Sequence, residues 1–93
     1  MDETKIEKIL RHYSPERQTV KAIEELAELQ VELSKLLQKQ GDIDAMKSEL
    51  ADVVIMTSQI MFIFDVDPEE LDSIIGYKLD RQLKRMEEES HAE

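Results

Sequence analysis

The sequence predicts an all-α protein of four helices that form one domain, residues 1–93. Residues that favour helices, chiefly Ala, Leu, Glu, Lys, Gln and Met, dominate the chain, whereas glycine and proline occur only twice each and aromatic residues are few. Apolar residues recur every three or four positions, which is the period of an amphipathic helix. A chain of 93 residues has room for one small core.

An N-cap residue separates the first two helices, and a glycine is expected to end the second. The first is expected from about Glu3 to Tyr13. The second begins where Ser14 can act as N-cap and Pro15 takes the first helical position, and Gly41 is expected to end it. The predicted apolar face of the second helix consists of Val20, Ile23, Leu26, Leu29, Leu33, Leu36 and Leu37.

The third helix, expected from about Ala45 to Phe64, is unusually apolar. From Leu50 onward it is apolar on nearly every side, so other protein must surround it. The run of about 15 residues contains Asp52 and is shorter than the roughly 20 residues of a membrane span. Four helices of one chain can hardly cover it completely. We therefore expect a second subunit to complete the bundle, in a homodimer or a homotetramer.

The fourth helix is expected to begin at Pro68, with Asp67 as its N-cap. It carries a further apolar stripe and is expected to fray over residues 87–93, a tail of acidic and small residues. No repeat or low-complexity segment divides the chain. We therefore treat it as a single helical domain.

Composition and charge exclude several classes of function. The chain has 22 acidic and 12 basic residues and a formal net charge of −10, which repels the phosphates of nucleic acids and of anionic membranes. It has no cysteine, so disulfides, thiol nucleophiles and cysteine-based zinc sites are excluded. The N-terminus lacks the apolar run of a signal peptide. We expect a cytoplasmic protein that binds neither nucleic acid nor membrane.

Two pairs of acids have the spacing of a metal site. Glu25 and Glu28 lie three apart on the second helix, as do Glu49 and Asp52 on the third. Residues at this spacing share a helix face, so each pair can converge on one cation. Mg²⁺ takes carboxylate oxygens, waters and substrate phosphates as ligands. Two packed helices would bring both pairs to one site.

The same spacing also arises by chance, because 22 acids in 93 positions give about five such pairs at random. Asp52 is more informative than the others. It lies inside the most apolar helix, where a bare carboxylate is costly unless a metal ion or a basic side chain neutralises it. A metal is the better interpretation, and a basic partner is the alternative.

A polar stripe accompanies the acids along the second helix. It consists of Gln18, Lys21, Glu25, Glu28 and Glu32. The stripe can line a cleft, in which case Lys21 is a candidate for substrate binding. It can equally be a solvated face with ion pairs such as Lys21–Glu25, and the sequence leaves both interpretations open.

The acids resemble a known motif. Glu25-x-x-Glu28, a gap of twenty residues and Glu49-x-x-Asp52 within an apolar helix resemble the signature of the MazG-like all-α nucleotide pyrophosphohydrolases. The family also carries a Lys, an Asn and an Arg on a later helix. Lys78, Gln82 and Arg85 have that spacing here, with Gln82 where the family has Asn. The resemblance covers roughly residues 18–86.

The resemblance implies a fold, an activity and roles. The fold would be the four-helix MazG-like bundle, completed by oligomerisation. The activity would be Mg²⁺-dependent hydrolysis of a nucleoside triphosphate to monophosphate and pyrophosphate, in housekeeping of the nucleotide pool, with Mn²⁺ as a possible substitute. The metal ligands would be Glu25, Glu28, Glu49 and Asp52. Glu24 or Glu28 would accept the proton of the attacking water, and Lys78, Gln82 and Arg85 would bind substrate.

Three other functions are alternatives. Phosphoribosyl-ATP pyrophosphohydrolases of histidine synthesis have a similar motif, and a dimeric pyrimidine-specific triphosphatase is related but usually longer. A non-enzymatic helical dimerisation or interaction module, with solvated acids, belongs to a different class. The sequence leaves the preferred base and sugar, the number of metal ions and the choice between dimer and tetramer undetermined.

Overall fold

The computed structural model describes residues 1–92 and consists of four α-helices. They are α1 (Glu3–His12), α2 (Pro15–Leu37), α3 (Ile43–Ile63) and α4 (Pro68–Ala92). No strand occurs among these residues. The predictions of an all-α chain and of four helices are confirmed.

Each helix begins at a polar cap. Ser14 Oγ accepts a hydrogen bond from Arg17 N at 3.1 Å, and Asp67 Oδ1 accepts one from Glu69 N at 3.0 Å, so both predicted caps are confirmed. Asp2 caps α1 in the same way. Asp42 Oδ1 accepts from Asp44 N at 3.0 Å, which is why α3 begins two residues before the expected Ala45.

The end of α2 differs from the expectation. The helix ends at Leu37, and the left-handed backbone conformation belongs to Lys39, with φ 59°, and not to Gly41. Gly41 is needed for a different reason. A Cβ atom at this position would lie 2.8 Å from Leu36 N and 2.9 Å from Leu36 Cδ2, so only glycine allows the connection to pack this closely on α2.

The core of the molecule is the antiparallel pair α2 and α3, joined by the short connection 38–42. Helix α1 packs against α3 and buries Ile6. Helix α4 makes almost no contact with the other three helices. It continues as helix through Ala92, and the predicted fraying from residue 87 stays a prediction.

The face that α2 turns towards α3 mixes polar and apolar side chains. Gln18, Ala22 and Glu25 are buried there, and Leu29 and Leu36 are half-buried. The other five residues of the predicted apolar face are exposed, and Ile23 is 63% exposed. They lie roughly a third of a turn around the helix from the buried face. The chain's own helices therefore leave most of the predicted apolar face of α2 uncovered.

Helix α3 is not surrounded by its own chain. Met56 and Gln59 are buried, but several large apolar side chains of this helix remain exposed. They are Ile43, Leu50, Val54, Ile55 and Phe62, and Phe64 directly after the helix is exposed as well. One chain thus leaves uncovered much of the apolar surface that the sequence of this helix predicts to be buried.

The dimensions of the molecule agree with this open packing. The radius of gyration is 17.1 Å, against about 12 Å for a compact domain of this length. The accessible surface is 7677 Å², whereas a folded monomer of 10.9 kDa exposes about 5600 Å². None of the helices within residues 1–92 combines the length and the apolar character that crossing a membrane requires.

Candidate metal centre

Three of the four predicted metal ligands meet between α2 and α3. Glu25 projects from α2, and Glu49 and Asp52 project from successive turns of α3. One carboxylate oxygen of each residue lies within 4.8 Å of the other two. Glu25 is only 5% exposed, and the other two are half-buried. The carboxylates of two neighbouring helices thus converge, as the spacing of the acids predicts.

Two oxygen atoms of this cluster lack a partner. Glu25 Oε2 and Glu49 Oε2 are buried and accept no hydrogen bond within the described part of the chain. A buried acceptor without a partner costs about 1–3 kcal/mol, and more when it is charged. A divalent cation would satisfy both oxygens and reduce the repulsion among the acids. The donor set, which contains only carboxylates, suits a hard cation such as Mg²⁺.

Glu28, the fourth predicted ligand, lies at the edge of the cluster. Its side chain is exposed, and its carboxyl lies beside those of Glu49 and Glu25. It does not belong to the group of three that converge within 4.8 Å. Its exposure and position suit contact with a bound water or a substrate as well as with the ion.

The two glutamates whose Oε2 atoms lack a partner differ in charge. A hydrogen bond from Lys21 holds the pKa of Glu25 below its usual 4.5, and Lys21 Nζ lies 3.0 Å from Glu25 Oε1. Burial, together with the neighbouring Glu28 and Glu25, raises the pKa of Glu49 from 4.5 to about 7. Near neutral pH the cluster therefore holds an ionised Glu25 and a partly protonated Glu49.

An open cleft of about 740 Å³ adjoins the cluster at the start of α2. Lys21 and Glu24, two predicted site residues, line it together with Tyr13, Arg17 and Gln18. Arg17 lies over the Tyr13 ring at 4.8 Å. The volume is within the range of about 300–1,000 Å³ that small-molecule sites occupy. The ion pair between Lys21 and Glu25 connects the cleft to the acids.

The polar stripe of α2 therefore lines a cleft over part of its length and is a solvated face over the rest. Its first half lines the cleft, and Glu25 lies in the cluster. Farther along, Lys35 Nζ lies 3.4 Å from Glu32 Oε1 in an ordinary surface ion pair.

The remaining predicted substrate residues are on α4. Lys78, Gln82 and Arg85 are exposed, and the ion pairs made by residues 1–92 include neither base. Because α4 makes almost no contact with α2 or α3, one chain does not join these residues to the acids.

One buried pair near the cluster is absent from the sequence prediction. Gln18 Nε2 donates to Gln59 Oε1 at 2.6 Å between α2 and α3, and the two residues are only 6% and 2% exposed. The amide of Gln59 within the most apolar helix indicates that this side chain needs a hydrogen-bond partner. The sequence gives no means of identifying that partner, because it lies 41 residues away.

Comparison of the chain with protein-family models, with curated proteins and with solved structures finds no match in any of the three. The resemblance to the MazG-like family rests on the acids and bases of this sequence, and membership of that family stays a prediction.

Proposed function

We propose that this protein is a Mg²⁺-dependent nucleoside triphosphate pyrophosphohydrolase of the MazG-like type, which releases monophosphate and pyrophosphate. The observation that carries the proposal is the convergence of Glu25, Glu49 and Asp52, from two helices, within 4.8 Å. The two buried oxygens without a partner give these acids a physical need for a cation. Mn²⁺ is the expected substitute because it has similar preferences for oxygen ligands.

The residues have distinct roles in the proposal. Glu25, Glu49 and Asp52 would hold the ion, which when bound supplies charge neutralisation at the phosphates and a more acidic water. Glu28, exposed at the edge of the cluster, or Glu24 in the adjoining cleft, would accept a proton from the attacking water.

The cleft beside the acids is the proposed place for the rest of the nucleotide. The Lys21 side chain is 51% exposed although it pairs with Glu25. Its ammonium group can therefore donate to a phosphate oxygen while it stays near the cluster. A phosphate bound there would be close to the acids, which is what hydrolysis of the anhydride requires.

The proposal includes a homodimer or a homotetramer. Relative to a compact monomer the chain exposes roughly 2,000 Å² of extra surface, which is more than the about 800 Å² per partner of a standard interface. By helical spacing, Lys78 and Gln82 lie on the same face of α4 as the exposed Ile75 and Leu79. A helix that covers this apolar face would therefore also approach the proposed substrate residues.

The test is pyrophosphate release with Mg²⁺ across canonical and damaged nucleoside triphosphates and phosphoribosyl-ATP. Glu49→Gln removes one ligand at nearly equal volume and should lower turnover at least about 100-fold with helicity unchanged. Glu87→Gln, an exposed residue of α4, is the matched control and should leave turnover unchanged. Wild-type turnover by Glu49→Gln would contradict the assignment.

A non-enzymatic interaction module is the second candidate, and the exposed apolar face of α4 favours it. The two proposals differ in their dependence on metal. If the acids bind a cation, millimolar Mg²⁺ or Mn²⁺ should raise the melting temperature, because the ligand binds only the folded state. An unchanged melting curve, together with no pyrophosphate release from any nucleotide, would favour the interaction module.

A further inference from the structure

The buried pair Gln18–Gln59 lies in the same helix interface as the acid cluster. Gln18 precedes Glu25 by seven residues on α2, and Gln59 follows Asp52 by seven residues on α3. Seven residues span about 10.5 Å, or two helical turns, along either axis. Because the helices are antiparallel, the pairing of Gln18 with Gln59 places Glu25 level with Asp52.

The hydrophobic effect alone does not favour this packing of α2. The face that meets α3 buries Gln18, Ala22 and Glu25 and half-buries Leu29 and Leu36. Ile23, Leu26 and Leu33 remain exposed. Rotating α2 by roughly a third of a turn would bury these three apolar side chains against α3 in exchange for Leu29 and Leu36. It would also turn Glu25 away from Glu49 and Asp52. Some specific contact must favour the observed rotation.

Without an ion, the acids offer only a contact between Glu25 and the protonated form of Glu49. Glu25, Glu28, Glu49 and Asp52 repel one another to the extent that they are ionised, and two of their oxygens have no partner. The bond between Gln18 and Gln59 is the one amide–amide hydrogen bond between α2 and α3 in the described chain. If α2 rotated about its axis, or slid along α3 by one helical turn of about 5.4 Å, both buried amides would lose their hydrogen-bond partner.

We propose that the hydrogen bond between Gln18 and Gln59 is a positioning contact that fixes the rotation and register of α2 on α3 and thereby assembles the cation site. The inference rests on the proposed metal site. A single buried polar pair is a known means of specifying register between helices, at some cost in stability. The same contact leaves the apolar face of α2 available to a second copy of the chain.

The test compares metal affinity with stability. In the double variant Gln18→Leu/Gln59→Leu, apolar side chains of similar size replace the pair. Its melting temperature without metal should equal or exceed that of the wild type, because no unpaired amide remains. Its dissociation constant for Mn²⁺, measured by calorimetry, should rise about tenfold or more, as expected when a contact that orients ligands is lost. A merely structural role would not separate these two measurements.

Met56→Leu is the matched control, because Met56 is buried in the same interface between Gln59 and Asp52. This swap nearly conserves volume and leaves the hydrogen bond in place, so Mn²⁺ affinity should stay within about threefold. If the double variant does not fold, Gln59→Asn decides the question. It shortens the amide by one methylene, which breaks the bond while keeping the polarity, and it should weaken Mn²⁺ binding.

The outcomes separate this inference from the proposed function. A wild-type protein that binds no Mn²⁺ would contradict the metal site itself. The positioning role alone would be overturned by a different result. In that case the wild type binds Mn²⁺, and the folded double variant or Gln59→Asn binds it equally well.

Discussion

At the scale of residues, the two glutamates Glu25 and Glu49 of the candidate site have pKa values shifted in opposite directions. Lys21 donates to Glu25 and keeps it ionised, whereas Glu49 faces burial and two neighbouring carboxyls. An ion that entered the cluster would meet one ready ligand and one that must first lose a proton. Metal binding and protonation should therefore compete at Glu49.

The raised pKa of Glu49 predicts a pH dependence of the folding stability in the absence of metal. The folded-state pKa of Glu49 is raised from 4.5 to about 7, so the folded state binds the proton more tightly than the unfolded state does. The resulting stabilisation is fully present below about pH 4.5 and is lost as pH rises through about 7. With EDTA present, the free energy of unfolding by urea should therefore favour pH 5 over pH 8 more strongly in the wild type than in Glu49→Gln.

Mn²⁺ affinity should show the opposite trend, rising between pH 6 and pH 8 in the wild type because deprotonation frees Glu49 to act as a ligand. Comparison with Glu49→Gln subtracts the titration of the groups that lie away from the cluster. Equal pH dependence of unfolding in the two proteins would exclude a raised pKa at Glu49.

At the scale of elements, the two glycines have opposite structural roles. A Cβ at Gly41 would lie 2.8 Å from Leu36 N, whereas a Cβ at Gly76, inside α4, meets nothing within 4 Å. Gly41→Ala should therefore destabilise the fold by about 1–3 kcal/mol through overpacking. Gly76→Ala should stabilise it by up to about 1 kcal/mol, because alanine is the better helix former. Urea unfolding measures both, and each variant is the control for the other.

The sequence predicts the helices well because their determinants are local. The caps at Ser14 and Asp67 depend on contacts two or three residues away, and periodicity within each helix identifies its apolar face. The convergence of Glu25 with Glu49 and Asp52 follows from their spacing and from the short connection between α2 and α3.

The packing of α2 could not be predicted in the same way. Which face meets α3 depends on a bond between residues 41 positions apart, and periodicity contains no information about that partner. The same is true of α4. Its pattern predicts an apolar face, but almost nothing within residues 1–92 packs against α4. The prediction for Lys78, Gln82 and Arg85 thus depends on an assembly that one sequence does not specify.

At the scale of the whole molecule, the shape itself predicts association. A radius of gyration of 17.1 Å and a nearly separate α4 leave apolar faces on three helices in contact with water. Exposed apolar faces on three helices are unusual for a monomer and are typical of an interface. We expect the protein to be a dimer or a tetramer at micromolar concentration, which light scattering can measure.

A charge placed on the apolar face of α4 should break that assembly. Leu79 is 59% exposed in the single chain, so Leu79→Glu should disturb the fold of one chain little, while burying the new carboxylate in an interface would be costly. The scattering mass should therefore fall. Lys84→Glu introduces the same carboxylate on the opposite face of α4 and should leave the mass unchanged. If Leu79→Glu keeps the mass of the wild type, this face of α4 is not part of the interface. If the wild type itself is monomeric, the proposed assembly is wrong.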